Sequence, residues 1–356
     1  MAERADEAMS KLSNKQMDII LKHAGIGTTE QLKEMEASVD EMRDFGNADE
    51  LRAIISDIAR HNRMLKERLT LVNDSLTRAI PLVRENLYLF AAYTGSGKSS
   101  CAANISYPLW KQGKKVLIIS NEETQKDVVS RIACLEAGVS FQGVIRCEIS
   151  KMEELSYVAH IPSIKQHVIV IPADDPRTTC IEGVKNILEA AKNEDFSAII
   201  IDYFQLIKRS EQQPNKEPYR VMMEFKDYLN AYIKTSNAPV VMFAQLWSLS
   251  KRPAKDTELD SRLKECASIQ DGASVVVEIV PNFKESTTDF LICKDRFFGR
   301  KGDRITCQYS KGRYLDEVSM TDLAKAIAQI KLEKLTKDFN HNSLSAGADY
   351  DAGKKT

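Results

Sequence analysis

The stretch Asn86–Ser100, NLYLFAAYTGSGKSS, narrows the possible folds of this chain more than any other. Leu87, Leu89, Phe90, Ala91 and Ala92 form a short continuous apolar run, the pattern of a strand buried on both faces. Gly95, Gly97, Lys98 and Ser99 follow at once. Glycine takes up positive φ without steric cost, so such a turn can curl its N–H groups around an anion. Cys101–Trp110 reads as a helix, whose first amides attract phosphate. Thr94, Gly95, Ser96, Gly97, Lys98, Ser99 and Ser100 therefore form a candidate phosphate-binding loop. In such a loop Lys98 would reach the β- and γ-phosphates of a bound nucleotide and Ser99 would ligate Mg²⁺. Ala92 stands where the usual loop pattern begins with glycine.

Downstream, Val116–Ser120, His167–Ile171, Ala198–Ile201 and Pro239–Ala244 repeat the continuous apolar pattern. Helical stretches at Gln125–Ala137, Thr178–Lys192 and Glu217–Thr235 separate them. Such alternation predicts an α/β fold with a mostly parallel central sheet covered on both faces. Ligands bind such sheets at the carboxyl ends of strands, where Lys98, Glu122, Asp202 and Gln245 all fall. From Ala273 the helices stop: Ala273–Val280, Asp289–Lys294 and Arg304–Tyr309 predict an antiparallel C-terminal extension.

Ahead of the loop, residues 1–47 read as a small helical segment, with helix starts at Ser13 and Thr28. Leu51, Ile55, Ile58, Asn62, Leu65, Leu69, Val72 and Leu76 then recur in steps of four and three, a heptad seam with one polar member. This helix, residues 48–75, either lies on its own domain or links to a neighbouring subunit. Ala79–Glu85, with Pro81, is expected to be a short connection that lets it swing out. The main α/β unit is expected to span 76–318, followed by a last helix 319–336 and a polar, disordered tail 337–356. A net charge of −1 leaves no global field for nucleic acid, though a local basic lining suffices for a channel. Seven scattered cysteines without a C-x-x-C pair, no membrane-length apolar run and a charged N-terminus predict a cytoplasmic protein. The five histidines have no metal-binding spacing.

The carboxylates suit phosphoryl chemistry. Asp202, closing an apolar strand, fits an acid that holds Mg²⁺ through its waters; alternatively it caps a strand–loop junction. Glu122 is placed to deprotonate the attacking water, with Glu123 as the competing residue. Gln245 is a candidate γ-phosphate sensor, or a satisfied polar group at a strand end. Lys294-Asp295-Arg296 offers two cations beyond the nucleotide's own strands, as a finger supplied to a neighbour requires, or forms a solvated basic hairpin.

Seven segments occur in order: NLYLFAAYTGSGKSS, VLIISNEE, VIVIPADDP, IIIDYFQLI, VVMFAQL, LKECASIQDGASVV and ICKDRFFGRKG. Over about residues 76–316 the chain resembles the RecA-like motor domain of the DnaB family of replicative DNA helicases, which shares Ala92. The resemblance implies an ATP- and Mg²⁺-dependent homo-hexameric ring that moves on single-stranded DNA and unwinds duplex. It implies Glu122 as base, Asp202 as the Walker B acid, Gln245 as coupling residue, and Lys294 and Arg296 as fingers acting in trans. Lys264, Glu265 and Ala267 fall on the family's single-strand-binding loop, with Lys264 where Arg is usual. Lys208, Arg209, Lys251, Arg252 and Lys255 lie on loops that would line the channel. Residues 1–47 are too short for the family's N-terminal domain, which implies a compact phage-type form with a separate primase and loader. Two rival readings are a RecA- or circadian-type ATPase that anneals strands or remodels proteins, and a non-hydrolysing nucleotide-binding scaffold.

Overall fold

The computed structural model describes residues 68–202, 218–246, 267–296 and 299–316. Nine strands form one sheet: β1 (Leu87–Ala92), β2 (Lys115–Ser120), β3 (Val168–Ile171), β4 (Phe196–Asp202), β5 (Val240–Gln245), β6 (Val275–Asn282), β7 (Thr287–Asp295), β8 (Arg304–Ser310) and β9 (Arg313–Asp316). Their order is β3-β2-β4-β5-β1-β6-β7-β8-β9. β1 lies between β5 and β6, parallel to both, and β2 lies beyond β5 and β4. The chain leaving β1 therefore crosses two strands to reach β2, which opens a crevice at the carboxyl end of β1.

The described helices are α1 (Asp74–Ala79), α2 (Lys98–Lys111), α3 (Gln125–Ala137), α4 (Phe141–Ile145), α5 (Lys151–His167), α6 (Ile181–Ala191), α7 (Pro218–Tyr232) and α8 (Ala267–Gly272). Successive strand residues point to opposite faces. Tyr88, Phe90 and Ala92 join one buried cluster with α1, α2 and α3, whereas Leu87, Leu89 and Ala91 join the other with α6 and α7. Two covered faces account for the unbroken apolar runs of β1, β2, β4 and β5. Along β7 Thr288, Phe290 and Ile292 are buried while the residues between them are less so, as a sheet covered on one face requires. No helix among the described residues is long and apolar enough to cross a membrane.

Several expectations change. β6 pairs parallel with β1 and antiparallel with β7, so the antiparallel extension begins one strand later than predicted and gains β9. The stretch Thr178–Lys192 divides into a 3-10 turn, Pro176–Thr179, and α6. Gly183 allows that join: a Cβ there would lie 2.6 Å from the Arg177 Cα. Helix α5 went unread because its polar and apolar residues have little helical segregation and Pro162 sits inside it; Ile164 is its only buried residue.

The largest correction concerns the heptad seam. Its last members, Leu69, Val72 and Leu76, do not lie on one helix, because residues 68–73 are not helical. Leu69 bridges to Leu82, Asn73 caps α1 through the Leu76 N–H, and Leu69, Leu71 and Leu76 are buried in the sheet's own core. The seam members Leu51, Ile55, Ile58, Asn62 and Leu65 lie outside the described residues. Nor is Ala79–Glu85 a hinge: Ile80, Leu82 and Val83 are buried. The Tyr88 hydroxyl, itself buried, donates to Pro81 O at 2.7 Å and accepts from Val83 N at 3.0 Å. The ATPase unit thus begins at or before Leu69, not at Leu76. Tyr88→Phe keeps the ring but leaves both backbone groups unpaired in the core. We expect it to lower the unfolding free energy by about 1–3 kcal/mol in urea titrations; an unchanged midpoint would mean that the segment is not pinned there.

Candidate nucleotide site

The turn between β1 and α2 is built around Gly95 and Gly97, at φ 75° and 91°. Gly97 is the N-cap of α2. A Cβ on it would also stand 3.2 Å from the Tyr314 hydroxyl, so space as well as φ favours glycine there. The first amides of α2, a 14-residue helix, have no intrahelical acceptor and lie at the carboxyl end of β1, where the crevice opens. Lys98, the first residue of α2, is buried; desolvation lowers its pKa, opposed by the negative charges of Asp202 and Glu122.

Asp202 ends β4 directly opposite Ser120 of β2. It is buried, and desolvation pushes its pKa up to about 6 despite a hydrogen bond from Ser99. Its Oδ1 is buried without a hydrogen-bond partner. An orphaned carboxylate oxygen beside a serine hydroxyl fits Mg²⁺, which takes one or two protein oxygens and keeps phosphate oxygens and water for the rest. No group of three or more His, Cys, Asp or Glu side chains able to hold a metal occurs among the described residues.

The turn after β2 separates the two competing glutamates. Glu123 is held by Arg131 of α3, whose Nε lies 2.9 and 3.0 Å from the two carboxylate oxygens. Glu122 is exposed, lines the same cleft, and has no hydrogen bond or ion pair among the described residues. The geometry therefore leaves Glu122 available and Glu123 engaged. Gln245, at the end of β5 beside Ala92, donates from Nε2 to Thr94 Oγ1 at 2.5 Å, which ties that strand end to the phosphate loop.

Lys294 and Arg296 lie away from the cleft lining. The Lys294 ammonium donates to the carbonyls of Gln270, at 2.6 Å, and Asp271, at 3.1 Å; Arg296 also donates to Asp271 O. Both cations thus meet the C-terminal carbonyls of α8, where positive charge is favoured. Ala267 is the first residue of α8. Lys264, Glu265, Lys208, Arg209, Lys251, Arg252 and Lys255 lie outside the described residues.

The phosphate loop, Glu122, Glu123 and Gln245 border one cleft of about 480 Å³, within the range of small-molecule sites. Its far wall went unforeseen: Phe283 and Ser286 in the β6–β7 turn, Thr287 and Thr288 of β7, Tyr309 of β8 and Tyr314 of β9. No local motif marks these residues; only the antiparallel pairing carries them back over the loop. Arg131 and Gln142 complete the wall.

With this geometry in hand, comparison with known proteins gives a consistent result. A Probable plasmid replicative DNA helicase of Chlamydia psittaci is 26% identical over 200 residues, 56% of this chain and 43% of that protein. A Replicative DNA helicase DnaB of Leifsonia xyli subsp. xyli is 22% identical over 238 residues, 65% of this chain and 51% of that protein. The chain spans about half the length of the curated relatives it matches. Among solved structures, a DnaB-like replicative helicase studied with its interactions with primase matches at TM-score 0.59 and 15% identity, covering 81% of this chain and 76% of that one. An ATPase domain matches at TM-score 0.59 and 16% identity, covering 77% and 99%; at such identities these two likenesses show the fold alone. The family model for the DnaB-like helicase C terminal domain matches residues 74–311, from the start of α1 to just beyond β8, and the chain belongs to that family.

Proposed function

We propose that this chain is the motor of a replicative DNA helicase: a homo-hexameric ring that hydrolyses ATP between subunits, moves on single-stranded DNA and separates duplex. The observation that carries the reading is the unpaired Glu122 in the cleft that the phosphate loop borders, with buried Asp202 hydrogen-bonded to Ser99. A scaffold that only bound nucleotide would need no free carboxylate in that cleft.

In this reading the amides of residues 95–99 and the Lys98 ammonium bind the β- and γ-phosphates. Ser99 and Asp202 would hold Mg²⁺, which offsets negative charge on the phosphate oxygens. Glu122 orients the attacking water and takes its proton. Gln245 carries the state of the loop to the end of β5 through Thr94. Lys294 and Arg296 act on the nucleotide of the adjacent subunit. Lys264, Glu265 and Ala267, with Lys208, Arg209, Lys251 and Arg252, meet the DNA backbone, where phosphate contacts are indifferent to sequence. A separate primase and a loader are the expected partners, and the cytoplasm the expected site of action.

A ring needs a head-to-tail contact, in which different surfaces of each subunit meet. The described chain enters beside β8, where Asn73 reaches the Tyr314 carbonyl and Cys307. At the opposite end of the sheet, over β3, α5 exposes Met152, Leu155 and Val158. The seam Leu51, Ile55, Ile58 and Leu65 is apolar enough to seek cover on a neighbour, and Asn62 would set its register.

Forked-duplex unwinding with ATP tests the whole reading. Glu122→Gln is expected to bind ATP but lose turnover and unwinding by about a hundredfold or more, while Glu123→Gln keeps most of both. Reversed outcomes would transfer the base to Glu123, and a wild-type chain that hydrolyses ATP without unwinding would favour the strand-annealing relative.

Arg296→Ala is expected to be inactive alone and to poison wild-type subunits on mixing, since its defect falls on a neighbour's ATP. A finger in trans is worth about a thousandfold or more. Normal turnover by Arg296→Ala rings would remove the trans role.

Ile55→Asp with Ile58→Asp should leave ATP binding intact and abolish the hexamer in sedimentation with ATP and Mg²⁺. A stable hexamer from that variant would give ring contacts to the ATPase faces alone.

A further inference from the structure

The paired glutamates after β2 raise a chemical problem. Asp202, Glu122 and Glu123 converge on a site that must accept a polyanion, and either glutamate, if free, could take a proton from water. Glu123 is fixed at several points. Its N–H donates to Ser120 Oγ at 2.9 Å, and its carbonyl accepts from Ala173 N at 3.3 Å. Its carboxylate receives the Arg131 Nε on both oxygens and the terminal Nη2 on Oε1, at 2.5 Å. Arg131 is held in turn. It rises from α3, whose start is fixed by the capping box of Thr124 and Asp127, and its guanidinium lies 4.2 Å from the centre of the Phe141 ring. Phe141 opens α4 immediately after the Ser140 cap. The other polar side chains of the turn are also engaged: Asn121 donates to Thr178 O and Thr124 to Asp127. Glu122 and Glu123 both border the cleft, and of the two it is Glu122 that has no hydrogen bond or ion pair among the described residues.

We propose that Arg131 is a positioning residue for ATP hydrolysis: by occupying both oxygens of Glu123 it masks that carboxylate and leaves Glu122 as the one free carboxylate base that borders the cleft among the described residues. The inference rests on the proposed ATPase reading and adds a residue to it. Bidentate guanidinium–carboxylate pairs are the strong, geometrically fixed kind, and a half-buried pair is screened less than a surface one. Phe141 adds a cation–π contact that holds the fork flat against Glu123. Masking does two things. It removes a negative charge from the path of the triphosphate, and it keeps a second carboxylate from competing for the attacking water.

The test uses the full chain and four forms: wild type, Arg131→Ala, Glu123→Gln, and the two substitutions together. ATP hydrolysis and binding of a non-hydrolysable ATP analogue are measured on each, with unfolding midpoints as a check on folding. Arg131→Ala is expected to raise KM for ATP severalfold, weaken analogue binding to match, and lower kcat by about tenfold. Glu123→Gln alone is expected to stay within about threefold of wild type. The combined variant is expected to return to the Glu123→Gln values, because the damage in Arg131→Ala comes from the unmasked carboxylate. If the combined variant is as impaired as Arg131→Ala, masking is wrong and Arg131 acts on the nucleotide itself or on folding. Wild-type activity in Arg131→Ala also overturns it. Should Arg131→Ala fail to fold, Arg131→Lys replaces it: a point charge masks one oxygen, so a partial loss that Glu123→Gln relieves is required. A wild-type chain that binds the analogue but does not hydrolyse ATP defeats the ATPase reading instead, and the analogue-binding comparison still decides the masking.

Discussion

Everything at the nucleotide site depends on where β1 sits. Among the described strands it is the one with parallel neighbours on both sides from which the chain must cross two others to reach β2. That arrangement fixes the start of α2 at the open carboxyl edge of the sheet, between the ends of β5 and β6. The glycines then need only turn the chain; they do not have to hold it. Tyr314, packed under Gly97 and edge-on to Phe290 at 5.0 Å between ring centres, closes the loop from below. The extension β7–β9 therefore forms a wall of the candidate site and is not an appendage to it.

Charge is arranged around that loop by burial. Lys98 and Asp202 are both buried, and desolvation disfavours the charged form of each. Each offsets part of the other's cost, as buried opposite charges must. Glu122 differs: it is exposed and keeps its solvent. Burial thus divides the charged groups of the candidate site: Lys98 and Asp202 lie inside, and Glu122 lies in reach of solvent.

Much of this was legible in the sequence, for reasons that can be stated. A strand covered on both faces has to be apolar throughout, so β1, β2, β4 and β5 were visible as runs. Their carboxyl ends located Lys98, Glu122, Asp202 and Gln245 together. Helix α3 was legible to its residue limits because Thr124 and Asp127 form its cap and Gly138 ends it at φ 68°. What escaped was what depends on partners distant in sequence. Tyr309 and Tyr314 reach the cleft only through strand pairing. Leu69 and Leu76 fitted a heptad rhythm equally well whether helical or not, and the bridge from Leu69 to Leu82 decided the matter. Periodicity reports which residues seek burial; it does not report against what.

The same limit applies to the basic pair. Sequence made Lys294 and Arg296 a concentrated patch with two readings, a solvated hairpin or a finger. The structure shows a third state, in which both cations are bound to the last carbonyls of α8. For Lys294 these are well-formed hydrogen bonds in a half-covered setting, so any phosphate that draws the pair away has to replace contacts already made. If the pair acts on a neighbour, its affinity for that nucleotide is a difference between two sets of contacts, not the whole of one. The set it leaves belongs to the short helix that begins at Ala267, next to Lys264 and Glu265. Exchange of carbonyl for phosphate would then uncap α8 at its C-terminal end. The helix that adjoins the expected DNA loop and the nucleotide of the next subunit would compete for the same two side chains.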